Sequence, residues 1–272
     1  MTPGLAGTPR YFAWLYGGER MQAVLQPLFG IEAEINAALK PGLEHEVAHV
    51  RTSWWRDEAQ RVRGGHALHP LTRALLAQRA AGTSTGPDVS GLVDVVTWDL
   101  AAATFETRTE LAGYCERWAR ALPQVAATLA APDLPEAITR EFGHGMGIAL
   151  CELEMLVSLR QAARLGRLRI PLDELATLGV APDTLGHTPW PNALRERLRA
   201  RHQKLRQALA ERCASLTLPA HRAALRGLLV WAALMQQHSR RAEAALPNAW
   251  QRSRWNGVGD ALHAWHAARR AL

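Results

Sequence analysis

Gly91-Leu92-Val93-Asp94-Val95-Val96-Thr97-Trp98 is the stretch that decides the fold class of this 272-residue chain. Its β-branched residues give it the look of a short strand, and no other stretch shares that look. Yet Leu92, Val95, Val96 and Asp99 fall at i, i+3, i+4 and i+7, the spacing of one helical face. Helix therefore wins here, and the chain reads as all-α. Outward from this segment the punctuation is regular. Pro41-Gly42, Gly64-Gly65, a Gly82 to Pro87 loop, Pro132 to Pro135, Gly166, Pro182 to Pro191 and Pro247 divide the chain into about eight to ten helices. Gly143, Gly145 and Gly147 mark a helix that lets a neighbour approach closely. No internal repeat and no Gly/Ser linker separates two halves, so residues 1–272 are expected to form a single domain.

Composition narrows the class further. Apolar residues make up 48% and charged residues 21%, which suits a folded globule and excludes a disordered chain. No 18-residue window is free of charge; the longest candidate, Leu225 to Met235, is broken by Arg226, so no membrane span is expected. Met1 to Arg10 lacks the basic start and apolar run of a secretory signal. Cys115, Cys151 and Cys213 are far apart and form no CxxC pair, the pattern of buried thiols in a reducing cytoplasm.

The net charge is +7, and all but two of the 32 basic residues are arginine. Arginine favours bidentate pairing with phosphate or carboxylate. Phosphorylated ligands, acidic lipid headgroups (with a peripheral membrane contact) and nucleic acid all fit this balance, and composition does not choose among them; nucleic acid is the partner least expected. The segment from Asn192 to Arg212 shows how the charge is used. Leu194, Leu198, Leu205 and Leu209 form an apolar stripe, and Arg195, Arg197, Arg199, Lys204 and Arg206 fill the rest. A solvated outer face is the expected reading, with an anionic membrane or nucleic-acid face as the alternative.

His45-Glu46-Val47-Ala48-His49 matches the HExxH metalloprotease signature. Its context does not. Thr52 and Trp55 stand where the extended form needs glycine and histidine, the motif opens a helix just after Pro41-Gly42, and no third ligand follows convincingly. No zinc site is expected.

The block Val50-Arg51-Thr52-Ser53-Trp54-Trp55-Arg56-Asp57-Glu58, followed by Gly64-Gly65 and His69-Pro70, resembles the squalene/phytoene synthase family. Further pieces follow in the family's order across about residues 10 to 245. Tyr11 to Arg20 is similar to its opening helix with an arginine, and Asp94 to Leu100 to the segment before its central helix pair. Glu110-Leu111-x-x-Tyr114-Cys115 is similar to its Tyr-Cys helix. Gly147-x-Ala149 to Leu156 and Gly166-Arg167-Leu168-Arg169-Ile170-Pro171-Leu172-Asp173-Glu174-Leu175 are similar to the stretch around its Gly-Arg-x-x-x-Pro turn. Arg240 and Arg241 sit where its C-terminal helices carry basic residues.

The resemblance implies an isoprenoid-synthase-like helical bundle around a central cavity. It also implies head-to-head condensation of two prenyl diphosphates, with Mg²⁺ held by two Asp-rich motifs on facing helices. Those motifs are depleted here. Glu34 can lead the first, but Ala38 stands where its second acid belongs. Ser158 and Ala162 occupy the two acidic places of the second, Val157 replaces its arginine, and only Glu154 remains acidic. By the same resemblance Tyr114 is the expected catalytic residue. Arg20, Arg51, Trp54, Trp55 and Arg167 are the expected ligand contacts, and Glu34 and Glu154 the expected metal ligands. Each has a plainer reading as well: packing for Tyr114 and one of the tryptophans, helix capping for Arg167, capping or ion pairing for Asp94 and Asp99.

Two functions follow from this. The first is a degenerate family member that has lost Mg²⁺-dependent condensation and serves in prenyl or lipid binding, or in assembling a partner protein complex. It would resemble the complex I assembly factors of the family, which have likewise lost the Asp-rich motifs. The second is a working prenyl transferase with unusual ligands for Mg²⁺, the only cofactor implied. Loss at Ala38, Ser158 and Ala162 together favours the first.

Overall fold

The computed structural model describes residues 6–80, 85–101, 104–251 and 253–272. Residues 1–5, at the start of the segment read for a signal, and Gly82, Thr83 and Ser84 of the expected loop lie outside them. Among the described residues there is no strand, and Gly91 to Trp98 is helical.

The helices run α1 (Pro9–Tyr16), α2 (Glu19–Asn36), α3 (His45–Arg63), α4 (Pro70–Leu76), α5 (Ser90–Ala101), α6 (Arg108–Ala119), α7 (Val125–Ala130), α8 (Glu136–Val157), α9 (Leu159–Arg164), α10 (Leu172–Thr177), α11 (Asn192–Ala214), α12 (Pro219–Ala224), α13 (Arg226–Ala245) and α14 (Arg254–Arg270). The excess over the expected number comes from added breaks, one at Gly17-Gly18 and others that no glycine marks. A π turn at Arg120–Gln124 joins α6 to α7 around Pro123, whose missing N–H opens the ladder. At Ser158 the hydroxyl donates back to the Glu154 carbonyl at 2.7 Å, a local bond that competes with helix continuation between α8 and α9.

α8 is the central element, packed against α6, the π turn, α7, α11 and α13. Its glycines make this possible: a Cβ on Gly143 would stand 2.6 Å from the Gln124 Cα, and one on Gly147 2.7 Å from the Ala119 Cβ. Gly91 plays the same part for α5, since a Cβ there would lie 2.2 Å from the Arg117 carbonyl oxygen on α6. The large apolar cluster draws on nearly every helix, and a small second one joins Phe12, Val230, Leu234, Ala264 and Ala268 beneath α14. The block that carries the family resemblance forms a structural corner. Glu58 is fully buried and accepts hydrogen bonds from the Leu68 and His69 amides at 2.8 Å each. Burial would raise its pKa, but Thr72, His69, Arg61 and Leu68 all donate to the carboxylate and hold it below its ordinary value.

On α11 the expected leucine stripe is the buried face. Its arginines are largely spent on carboxylates: Arg199 pairs with Glu196, Arg201 with Glu152 and Glu174, Arg206 with Glu243, and Arg212 with Glu141. His202 interrupts the stripe from inside, its Nδ1 2.9 Å from the Ser239 Oγ. Burial, reinforced by Arg206, pushes its pKa down to about 4 from 6.5.

Two outcomes are expected. Gly91→Ala overpacks α5 against backbone that cannot retreat, costing about 1–3 kcal/mol or more, read as a lowered chemical-denaturation midpoint. The unfolded chain protonates His202 near pH 6.5 while the folded chain resists until about pH 4. Stability is thus lost as pH falls through that window, and His202→Asn shows a shallower loss over the same range.

Candidate functional site

Six helices, α1, α2, α5, α6, α8 and α9, converge on a cavity of about 470 Å³. Arg10 enters it from the first turn of α1, where Thr8 caps the helix by accepting from the Tyr11 amide and Pro9 sets the first helical residue. Its guanidinium pairs with Glu32 of α2 and, at 2.7 Å, with Glu154 of α8. Each carboxylate takes one indole donor besides: Trp118 of α6 donates to Glu32 at 2.8 Å, and Trp231 of α13 to Glu154 at 3.2 Å. The rings of Phe29, Trp118 and Trp231 surround the guanidinium, 5.7, 5.7 and 5.2 Å from its carbon. The cation is thus boxed by aromatic faces and held by two acids. Burial opposes its charge, but Glu154 and Glu32 more than offset that and raise the Arg10 pKa above its ordinary value. Burial raises the Glu32 carboxyl as well, with Arg10 working against it.

A second ion pair closes the cavity wall. Arg169 grips Asp99 with two bonds of 2.7 Å, and the Tyr114 hydroxyl donates to the same carboxylate at 3.2 Å. Asp99 is thereby an ion-pair partner, one of the two plain readings of that residue. Burial and then the Asp99 charge push the Tyr114 hydroxyl well above its ordinary pKa, so it stays protonated and committed. At the mouth the balance changes. Arg167 donates to the Leu39 carbonyl at 3.0 Å, and no carboxylate pairs with it or with Lys40 among the described residues.

Of the residues expected at the site, Tyr114, Arg167 and Glu154 line this cavity, and the others do not. Glu34 lies outside the lining. It is exposed and pairs with Arg51 at 3.5 Å, which accounts for both residues outside the cavity. Glu32 takes the inner place, because two residues along a helix turn a side chain by about 200°. Arg20 donates to the Leu129 carbonyl at 3.2 Å, away from the lining. Trp55 is core, while Trp54 is 41% exposed on the outer side of α3. Arg10, Glu32, Trp118 and Asp99 enter the cavity in their stead. Glu32 was detectable: it continues the buried set Val24, Leu25, Leu28, Ile31 and Ile35, whereas Glu34 falls in its gap.

Mg²⁺ does not fit this donor set. One turn beyond Glu32 and Glu154 stand Asn36 and Ser158, which are neutral, and the guanidinium occupies the place between the two acids. Among the described residues no group of three or more His, Cys, Asp or Glu is arranged to hold a metal. That includes the HExxH segment, where the His45 and His49 Nε2 atoms lie 2.8 Å apart on the exposed start of α3. A larger groove of about 720 Å³ lies elsewhere, between α5, α6 and α8; within its lining Arg63 pairs with Asp88 and Arg140 with Glu136.

Residues 33–257 match the squalene/phytoene synthase family, and the chain belongs to that family. Its fold is that of the isoprenoid synthases. A dehydrosqualene synthase crystallised with a ligand superposes with a TM-score of 0.72 at 14% identity, over 97% of this chain and 93% of that one. Squalene synthase HpnC from Alicyclobacillus acidocaldarius gives 0.65 at 16% identity, over 91% and 88%. A search of curated proteins finds no match. The family match begins just after Glu32, so neither Arg10 nor Glu32 lies within it.

Removing the guanidinium gives a sharp test. Arg10→Ala leaves the buried Glu32 and the partly exposed Glu154 facing each other with only their indole donors, and costs at most about 3–5 kcal/mol at neutral pH. Millimolar Mg²⁺ then raises the melting temperature of the variant and leaves that of the wild type unchanged. An equal rise in both would show that Arg10 does not exclude the ion.

Proposed function

We propose that this chain is a single-domain member of the squalene/phytoene synthase family that binds a prenyl diphosphate or related lipid without condensing it. The observation that carries the reading is Arg10 seated between Glu32 and Glu154. Ionising an allylic diphosphate requires positive charge that strengthens its hold as the leaving group departs. Here the charge between the facing acids is already neutralised by them. Four basic and three acidic side chains line the cavity, a surplus of one positive charge against a multiply charged diphosphate. No step through Mg²⁺ is drawn, because the residues present do not fit that ion.

Binding is a lighter requirement. Lys40 and Arg167 at the mouth suit a diphosphate head, and Leu92, Val95, Met155 and the Trp118 ring suit an apolar tail. A volume near 470 Å³ lies within the roughly 300–1,000 Å³ of small-ligand pockets. Ground-state contacts of this kind hold a ligand and leave its barrier unchanged. The three free cysteines fit a reducing compartment such as the cytoplasm, and no helix of the described residues is long and apolar enough to cross a membrane.

The test uses farnesyl and geranylgeranyl diphosphate with the full chain. Calorimetry is expected to show binding that weakens about 10-fold or more in Arg167→Ala, while no pyrophosphate is released with Mg²⁺. Mg²⁺-dependent release that disappears in Glu32→Gln or Glu154→Gln would make the chain a prenyl transferase with atypical ligands.

A further inference from the structure

We infer that α14, together with the end of α13, docks the protein on an anionic lipid bilayer. The inference is independent of what the central cavity binds. Val258, Leu262 and Trp265 are spaced at i, i+4 and i+7 on α14, and Leu272 follows two residues past its last helical residue, Arg270. They are 68%, 57%, 40% and 72% exposed. Large apolar side chains aligned this way form an unpartnered stripe along one edge of a surface helix. Arg269 lies over the Trp265 ring at 4.8 Å, so the aromatic edge carries its own cation.

Beside the stripe, between α12, α13 and α14, opens a cavity of about 390 Å³. Arg222, Arg240, Arg270, His263 and His266 line it, and no carboxylate does. Arg222 donates to the Cys213 and Leu216 carbonyls, at 3.2 and 3.3 Å. Arg240, Arg269 and Arg270 have no ion pair among the described residues, in contrast to the arginines of α11. Asp260, the acid of α14, is fully buried and engaged by His238 and Arg241, so it does not neutralise this surface.

The juxtaposition selects the occupant. A free phosphate would use the arginines and leave the apolar stripe without a purpose. A second copy would cover the stripe but bring one unpaired basic cavity close to another. A bilayer with anionic headgroups answers both: phosphates meet the cavity arginines, and Val258, Leu262, Trp265 and Leu272 enter the boundary between headgroups and chains. The family match ends at residue 257, so nearly all of α14 lies beyond it.

The full chain is mixed with vesicles of phosphatidylcholine alone, or with roughly one third phosphatidylglycerol, and recovered by flotation. Binding is expected only to the anionic vesicles. The double variant Arg240→Glu, Arg270→Glu should weaken it roughly 25-fold or more, and Leu262→Glu about 10-fold. Arg199→Glu, a charge reversal on α11, should leave it within about twofold. Equal binding to both vesicles would overturn the proposal, as would a loss in Arg199→Glu matching that of the double variant. So would retained binding in either the arginine or the leucine variant. Two further results would reassign the surface: pyrophosphate binding at the arginines without vesicle binding, or a dimer in sedimentation that Leu262→Glu dissolves while vesicles are ignored. Matching circular dichroism and melting curves confirm that these exposed substitutions leave the fold intact.

Discussion

One guanidinium holds the cavity together. Arg10 satisfies two acids that arrive from opposite sides of the bundle, Glu32 on α2 and Glu154 on α8, and it does so inside a ring of three aromatic side chains. Without a cation there, the two carboxylates would face each other across a desolvated gap. The indoles of Trp118 and Trp231 are then fixed in turn, because each spends its one N–H on a carboxylate already oriented by Arg10. Five helices thus share a single polar contact set within an otherwise apolar interior.

The same arrangement separates fold from chemistry. A metal-dependent synthase needs its facing acids free to hold ions that contact the substrate. Here the acids hold a residue of the protein itself, and the charge is fixed by a covalent tether to α1. Asp99, Arg169 and Tyr114 form a second closed set a short way along the wall, again with partners of the chain's own making. What remains outward-looking is at the rim, in Lys40 and Arg167.

The helical class was legible because periodicity survives at every scale: Leu92, Val95, Val96 and Asp99 within α5, and Leu194, Leu198, Leu205 and Leu209 within α11. The close-packing role of Gly143 and Gly147 was legible for the same reason. The site was harder. Motif spacing placed the first acid at Glu34, one alternate residue from the correct face, and a helix punishes such an offset with nearly a half turn. Arg10 carried no local signal, since its partners lie 22 and 144 residues away. A charge that becomes meaningful only through distant partners cannot be ranked from its own neighbourhood. The tryptophan pair misled for the opposite reason: Trp54 and Trp55 are conspicuous in sequence, yet they line the Glu58 corner and not the cavity.

The position of Arg10 along the chain has a consequence for the order of assembly on the ribosome. Arg10 emerges well before Trp231, against which it packs. The same asymmetry recurs nearby, where Arg226 donates to the Tyr16 carbonyl across 210 residues. α1 therefore lacks most of its packing surface until α13 has been synthesised. The early bundle around α2 must wait with Glu32 uncompensated while α8 and α13 are still being made. Such distant closure slows folding and leaves a nascent species whose cavity is still open. The residue that seals the cavity is thus one that can dock only after α13 has been made.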